Sequence, residues 1–482
     1  MRSRPAVRGA ASLVVELKNG AGLAGDTFNV EGRAFPLTFS VSSPGRNGTL
    51  ELLVSAKNAT GELVGRGATS VPIDAEAGEV LLDSADFVVN TQFAEDQFLT
   101  NDFEAVGAQL AANPSGEWIA TFRERCTAAA CNVFARRFDV DGQPLNSTLA
   151  AGTNAFTVNT GRVGVISSSA AAASADKTLL FWETTNASDI ADGVACRPID
   201  RAGAATTEQR LVTEPSTDVV VSAALPNGNF AVVWAGRTVT TDPLNLRTLV
   251  VDGTCTPLST LQPVGTLLPS IGLRQSSVAA GPDSYLIAWK SDNTIRARTV
   301  ALNGTPATPD TLLLMPSGTD EYHMVRVASY ADGFVVVAAR RSGTIVSLEL
   351  FRVTASATAA PMVLGSATLV TDGVDSAFEG FSVAAHPQGP FLVTWHGCGT
   401  RGDGEGCGVF GRLFDVTGAA QGDAFLVPTT TALDQDNSSA TALQGPGGTP
   451  LFVVAWNDLS AAAPDTGGKA VRARILYPPS SP

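Results

Sequence analysis

Arg401-Gly402-Asp403 stands between Cys398 and Cys407. A disulfide there would hold a cation and a carboxylate two residues apart on a short closed loop. A loop ordered in advance loses less entropy on binding. The triplet therefore reads either as an adhesive contact or as a solvated, Gly-rich turn. Cys126 and Cys131 form a second close pair at the matching place of another repeat. A bridge at each pair would staple a hairpin loop and contribute about 2–3 kcal/mol. Cys196 and Cys255 lie in neighbouring repeats, and either bridge them or both stay reduced. Paired cysteines without His or Cys-x-x-Cys company point to an oxidising compartment rather than a metal site.

Other chemistry leaves fainter traces. His323, His386 and His396 show no ligand spacing, so no metal or cofactor is expected. Gly-x-Ser-x-Gly, the P-loop, the dinucleotide fingerprint and Ser-x-Asp-x-Gly-x-x-Trp are absent. Asp139-Val140-Asp141-Gly142 starts like a calcium loop but lacks the distal ligands. It reads as a hairpin turn, and Asp434-Gln435-Asp436-Asn437 is open to either reading. Carboxylate pairs for glycoside hydrolysis would come from different repeats and leave no spacing signal. Arg136, Arg197, Arg298, Arg412 and Arg474 alternate with small residues and are expected on the outer, solvated part of each unit. A polyanion could meet them there, but the net charge of -14 opposes it and disfavours nucleic acid.

The elements that must position these groups are set by a repeat. Small residues, a Pro/Gly/Asn/Asp turn and an apolar strand ending in Trp recur about every 55 residues. The strand ends fall at Phe122, Trp182, Trp234, Trp289, Ala338, Trp395 and Trp456. A third strand follows, as in Val133 to Asp139 and Val409 to Asp415, with turn residues at Asp141-Gly142 and Asn303-Gly304. Seven such units predict a seven-bladed β-propeller over residues 83–482. The Ala/Ser-rich first strands should lie at the narrow axis, and each Trp between blades.

Ring closure has its own trace. Phe87, Thr91 and Asp96 recur as Phe425, Thr429 and Asp434 at a constant offset of 338 residues. The last unit stops after its third strand. Residues 86–91 are therefore expected to supply the last strand of the final blade, which removes an open sheet edge. Residues 1–82 lack the repeat and alternate instead, as in Thr49 to Val54. They predict a small, immunoglobulin-like β-sandwich. No run of 18 apolar residues exists, so no transmembrane segment is expected. Met1-Arg2-Ser3-Arg4-Pro5 lacks the apolar stretch of a signal peptide. The cysteine pattern favours an export signal already removed, or a start site placed too late.

The unit resembles the repeats of secreted bacterial β-propeller proteins, many of them lipoproteins. The match is carried by Phe391 to Trp395, Phe410 to Asp415, Gly418 and Phe425 to Val427. Leu52, Val54 and Ala56 before Gly65-Arg66-Gly67 look like the segment that precedes such propellers. The resemblance implies an extracellular or cell-envelope location but no reaction. No lipobox cysteine stands near residue 1, so no lipid anchor is visible. The expectation is a non-catalytic binding or scaffold protein that holds a protein or glycan partner at a propeller face. The alternative is a carbohydrate-active hydrolase or lyase with acidic residues at the channel mouth.

Overall fold

The computed structural model is all-β, with short 3-10 turns at Gly399–Arg401 and Pro446–Gly448. It describes residues 7, 10–19, 22–33, 37–40, 48–59, 61, 63–73, 78, 80, 82–91, 96–99, 109–124, 132–150, 152–159, 169–186, 191–214, 218–237, 244–266, 276–374, 380–462 and 464–476. Two compact units emerge, Met1–Phe87 with Arg474–Pro479 and Val88–Ala473 with Ser480–Pro482.

The first unit holds a five-stranded antiparallel sheet, ordered Gly22–Asn29, Ser12–Asn19, Thr49–Lys57, Leu63–Pro72, Asp83–Ser84. Leu50, Leu52, Val54 and Ala56 are buried and the residues between them are not. That alternation marks a sheet covered on one face. Leu13, Val15 and Leu82 complete the same core. The second sheet of a sandwich is not among the described residues of this unit.

The second unit is a series of like antiparallel sheets. In the first, Leu110–Ala112 and Gln97–Phe98 both pair with Trp118–Glu124, followed by Asn132–Phe138 and Phe156–Thr157. The second runs Ser169–Ala173, Lys177–Thr185, Ala191–Asp200, Gln209–Thr213. The third runs Asp218–Ala224, Phe230–Gly236, Asn245–Val251, Gln262–Thr266, and the fourth Ser276–Ala280, Ser284–Ser291, Thr294–Ala301, Thr311–Leu314. The fifth has the longest strands: Glu321–Tyr330, Gly333–Ser342, Ile345–Ser356, Ala359–Val374. The sixth runs Phe381–Ala385, Phe391–Gly397, Gly408–Phe414, Phe425–Leu426. The seventh takes Gln435–Gln444, Pro450–Asp458 and Ala470–Leu476 from the end of the chain and Phe87–Val88 from its beginning. First strands touch in order, and the seventh touches both the sixth and the first.

Chain-distant pairing in the seventh sheet copies chain-local pairing elsewhere. Val89 N–H donates to Val471 O at 2.7 Å, and Val471 N–H to Asn90 Oδ1 at 2.9 Å. In the first sheet Val158 N–H donates to Val133 O at 2.7 Å, and Val133 N–H to Asn159 Oδ1 at 2.8 Å.

Second strands are buried on both faces. All seven residues of Phe230–Gly236 and of Phe391–Gly397 are covered, so these strands read as continuous apolar runs. Leu179 and Phe181 pack on the third sheet, whereas Leu180 and Trp182 pack on the first. Trp234, Trp289, Ala338 and Trp395 each join the core shared with the preceding sheet. Gly265 makes room for this: a Cβ there would lie 2.4 Å from the Trp289 ring.

The third-strand arginines are not an outer, solvated ring. Arg136, Arg197, Arg298, Arg412 and Arg474 donate through Nε to the carbonyls of Thr153, Thr206, Thr308, Gly422 and Ser84, at 2.7–3.1 Å. Each acceptor lies three residues before the fourth strand. Four of them reach further, through Nη1, to a carbonyl of the preceding sheet. Arg136 meets Val89, Arg197 Val158, Arg298 Val264 and Arg412 Val370, at 2.8–2.9 Å. The carbonyl pair accounts for their position, and burial pulls Arg136 down to about 10. The polyanion reading therefore loses its residues.

Hairpins between third and fourth strands are also copies of one turn. Gly142, Gly203, Gly304 and Gly418 hold φ of 81, 84, 87 and 82. Asp139 Oδ1 accepts the Asp141 and Gln143 N–H groups, so this segment is a hairpin turn. The fifth copy has Cys255 at φ 65, bonded to Cys196 of the preceding sheet, 59 residues away. Both cysteines are fully buried.

Arg412→Met leaves two carbonyls without their donor and is expected to cost about 2–3 kcal/mol, read as a lower urea midpoint. Arg210→Met removes a partly exposed pair with Asp192 and should cost under about 1 kcal/mol. Equal losses would show the clasp to be incidental. Replacing Cys196 by Ala and Cys255 by Gly should keep the hairpin and lose about 4 kcal/mol or less. Cys196→Ala with Cys255→Val should fall further, because a β-branched residue is strained at positive φ. Matching melting midpoints for the two double variants would refute that account.

Candidate functional site

Antiparallel order puts the second-to-third-strand turn and the fourth-to-first-strand connection at one end of every sheet. The Cys398–Cys407 segment belongs to that end. Its disulfide forms, with Cα atoms 4.0 Å apart. Cys126 and Cys131 lie outside the described residues.

The stapled loop folds tightly on itself. A Cβ on Gly402 would lie 1.8 Å from Gly406 O, and one on Gly406 2.5 Å from Asp434 Oδ1. Only glycine permits such approaches. Cys407 N–H donates to Asp434 Oδ1 at 2.8 Å, and Gln435 N–H to Cys407 O at 2.7 Å. The loop is thus tied to the connection that leads into the seventh sheet. Arg401 and Glu405 are exposed. Asp403 is half-buried and accepts the Glu405 N–H at 3.1 Å. The three residues of the triplet therefore differ: Arg401 is open to a partner, Gly402 serves the crossing, and Asp403 is engaged within the loop.

First strands form one edge of each sheet, and a cavity open at its mouth lies between them. Its lining includes Gln109, Ser222, Ser276, Ser277 and Asn437 among the neutral polar groups, Val221 and Val278 among the aliphatic, and also Arg326 and Phe381. Some of these hydroxyls join sheets. Ser277 Oγ accepts Val327 N–H at 3.0 Å, Ser382 Oγ accepts Ala440 N–H at 3.0 Å, and Ser438 meets Thr394 at 2.9 Å. Arg326 lies over the Phe381 ring at 5.6 Å and donates to Val325 O at 3.0 Å. Among the described residues, no carboxylate lines this cavity.

Carboxylates gather instead on the fifth sheet. Arg340 bridges Asp320 and Glu349, each at 2.9 Å. Tyr322 Oη donates to Glu349 at 3.0 Å, and His323 Nε2 lies 2.8 Å from Glu321. Burial, then the Glu349 charge, pushes the Tyr322 phenol up. Burial, with Lys290 beside it, holds His323 below the usual histidine range. His386 is lowered by burial as well. Asp434 and Asp436 are likewise committed, to Cys407 N–H and to Asn457 Nδ2.

These sites were unequally visible in the sequence. The stapled loop was marked by its cysteines. The axial cavity was missed, although every Ala/Ser first strand carried a weak signal for it. The fifth-sheet cluster joins the run 320–323 to Arg340 and Glu349 of the following strands, and nothing in the linear order of residues links the three.

His323 is a base with its folded pKa depressed, so the unfolded chain binds more protons between that value and the ordinary one. Stability should therefore fall as pH drops through about 6.5. His323→Gln should shrink the difference between urea midpoints at pH 7.5 and 5.5. An unchanged difference would remove His323 from this account.

No family model matches the chain, and no curated protein matches it. Solved structures resemble it slightly. An α-L-arabinanase of Penicillium chrysogenum, complexed with arabinobiose, is 14% identical over 62% of this chain and 90% of its own, with a TM-score of 0.40. An oligogalacturonate lyase in complex with manganese is 9% identical over 82% and 98%, with a TM-score of 0.42. The β-propeller domain of the trilobed protease from Pyrococcus furiosus is 8% identical over 80% and 94%, with a TM-score of 0.36. Likeness this slight carries nothing about activity.

Proposed function

We propose that the chain is a seven-bladed β-propeller over residues 83–482, closed by residues 86–91 and preceded by a small immunoglobulin-like sandwich over 1–82. In this reading it is an extracellular or cell-envelope protein without catalysis. It binds a protein or glycan partner at the face that carries the second-to-third-strand turns. The cyclic contacts of the first strands support the propeller, and two disulfides favour an oxidising compartment.

The observation that carries the binding reading is the Cys398–Cys407 loop. It is cross-linked, self-crossing through Gly402 and Gly406, and anchored on Asp434. Its ordering is complete before any partner arrives, while Arg401 and Glu405 stay exposed. Such a loop meets a partner with little further entropic loss. Nothing in blade packing requires those two side chains. The hydrolase or lyase alternative calls for acidic residues at the channel mouth. Asp320, Glu321 and Glu349 are each engaged by Arg340, His323 or Tyr322.

The test is binding of the immobilised protein to a glycan panel and to intact cells. Arg401→Ala with Glu405→Ala should weaken retention at least tenfold, and Cys398→Ser with Cys407→Ser should weaken it too. Asn227→Ala, in a turn at the opposite end of the third sheet, should leave it unchanged. Retention that ignores the loop variants would sink this reading. Release of saccharide fragments would establish the enzyme alternative.

A further inference from the structure

Resting on the same reading, we infer that the axial cavity is a subsite for one neutral sugar ring. Ser222 and Ser276 carry the argument. Both line the cavity, they are 6% and 2% exposed, and neither hydroxyl has a hydrogen-bond partner among the described residues. A buried hydroxyl left unpaired costs free energy. Packing does not ask for either one. Ser222 stands opposite Val232, two residues before Trp234. The matching places in the second and fourth sheets hold Ala171 and Val278. Alanine would fill the Ser222 position without the penalty.

Backbone geometry points to the same place. The first strand of the seventh sheet bulges between Asp436 and Ser439. Asn437, inside the bulge, holds φ 51 and is 8% exposed, with its side chain among those lining the cavity. A buried non-glycine residue in the left-handed region is strained, and bulges re-aim side chains beside binding sites. The result is a cavity whose amides and hydroxyls both donate and accept. Saccharide hydroxyls have the same dual character. Val221, Val278 and Val327 offer apolar surface for the C–H face of a ring.

The experiment uses the full chain, with D-glucose, D-galactose, D-mannose and D-glucuronate as probes, by saturation-transfer NMR and calorimetry. At least one neutral sugar should bind in the millimolar range. Ser222→Ala with Ser276→Ala should weaken it about tenfold without lowering the unfolding midpoint, since these hydroxyls bond nothing among the described residues. Ser222→Val, which fills space, should weaken it further. Binding that is indifferent to the double substitution would place the sugar elsewhere and overturn the inference. So would no binding by any probe, or binding of glucuronate alone. Loss of sugar binding while the Arg401 loop still retains its partner would defeat this inference alone. Sugar binding without loop-dependent retention would defeat only the reading of the loop.

Discussion

Each sheet of the array has two apolar faces, and each face needs a neighbouring sheet to cover it. Residue alternation along the second strand shows the demand directly: Trp234 and Val232 pack backward while Val233 and Ala231 pack forward. A row of such sheets would leave an uncovered face at either end, several large side chains wide. Covering both requires the first and seventh sheets to meet, which their first strands do. The seventh sheet then needs a fourth strand from the far end of the chain. Val89 and Asn90 provide the same two bonds to Val471 that Val158 and Asn159 provide to Val133.

Polar groups between sheets are handled by repeated devices. On the third strands, arginines serve carbonyls of two sheets at once. A guanidinium suits this because its donors are fixed in a planar fork and it never titrates in the working range. On the axial side, serine hydroxyls cap backbone N–H groups of the next sheet. The third and fifth sheets lack the arginine at the repeat position, with Leu249 in the third. The third is instead bonded to the second through Cys255. This covalent tie accompanies a departure from the glycine that the turn otherwise uses.

Rigid packing of this kind frees the connections to vary, and binding residues sit on such connections. Here the stapled loop and the axial cavity lie in different surroundings. The loop offers exposed charge on a fixed backbone, and the cavity offers hydroxyl and amide groups, with Arg326 over the Phe381 ring. Partly buried ion pairs occupy the fifth sheet, and a buried one the last, where Arg472 meets Asp458 at 2.7 Å. Pairing of this sort holds carboxylates in place as structural groups, since losing one partner strands a buried charge.

Residue order alone determined the all-β class, the repeat and the strands within it. These follow from local rules: turn residues, apolar runs and the spacing of Trp recur wherever the same small unit recurs. It also marked the loop between Cys398 and Cys407, because a cross-link between near neighbours is legible in one line of text. The third-strand arginines were misplaced, since alternation tells which face a side chain takes and not whether a neighbouring sheet lies there. Cys196 and Cys255 stayed undecided until the sheets were side by side. The axial cavity was decided by tertiary structure alone. Its serines and amides come from strands spread over the whole chain, and only the circular contact of their sheets brings them to one point.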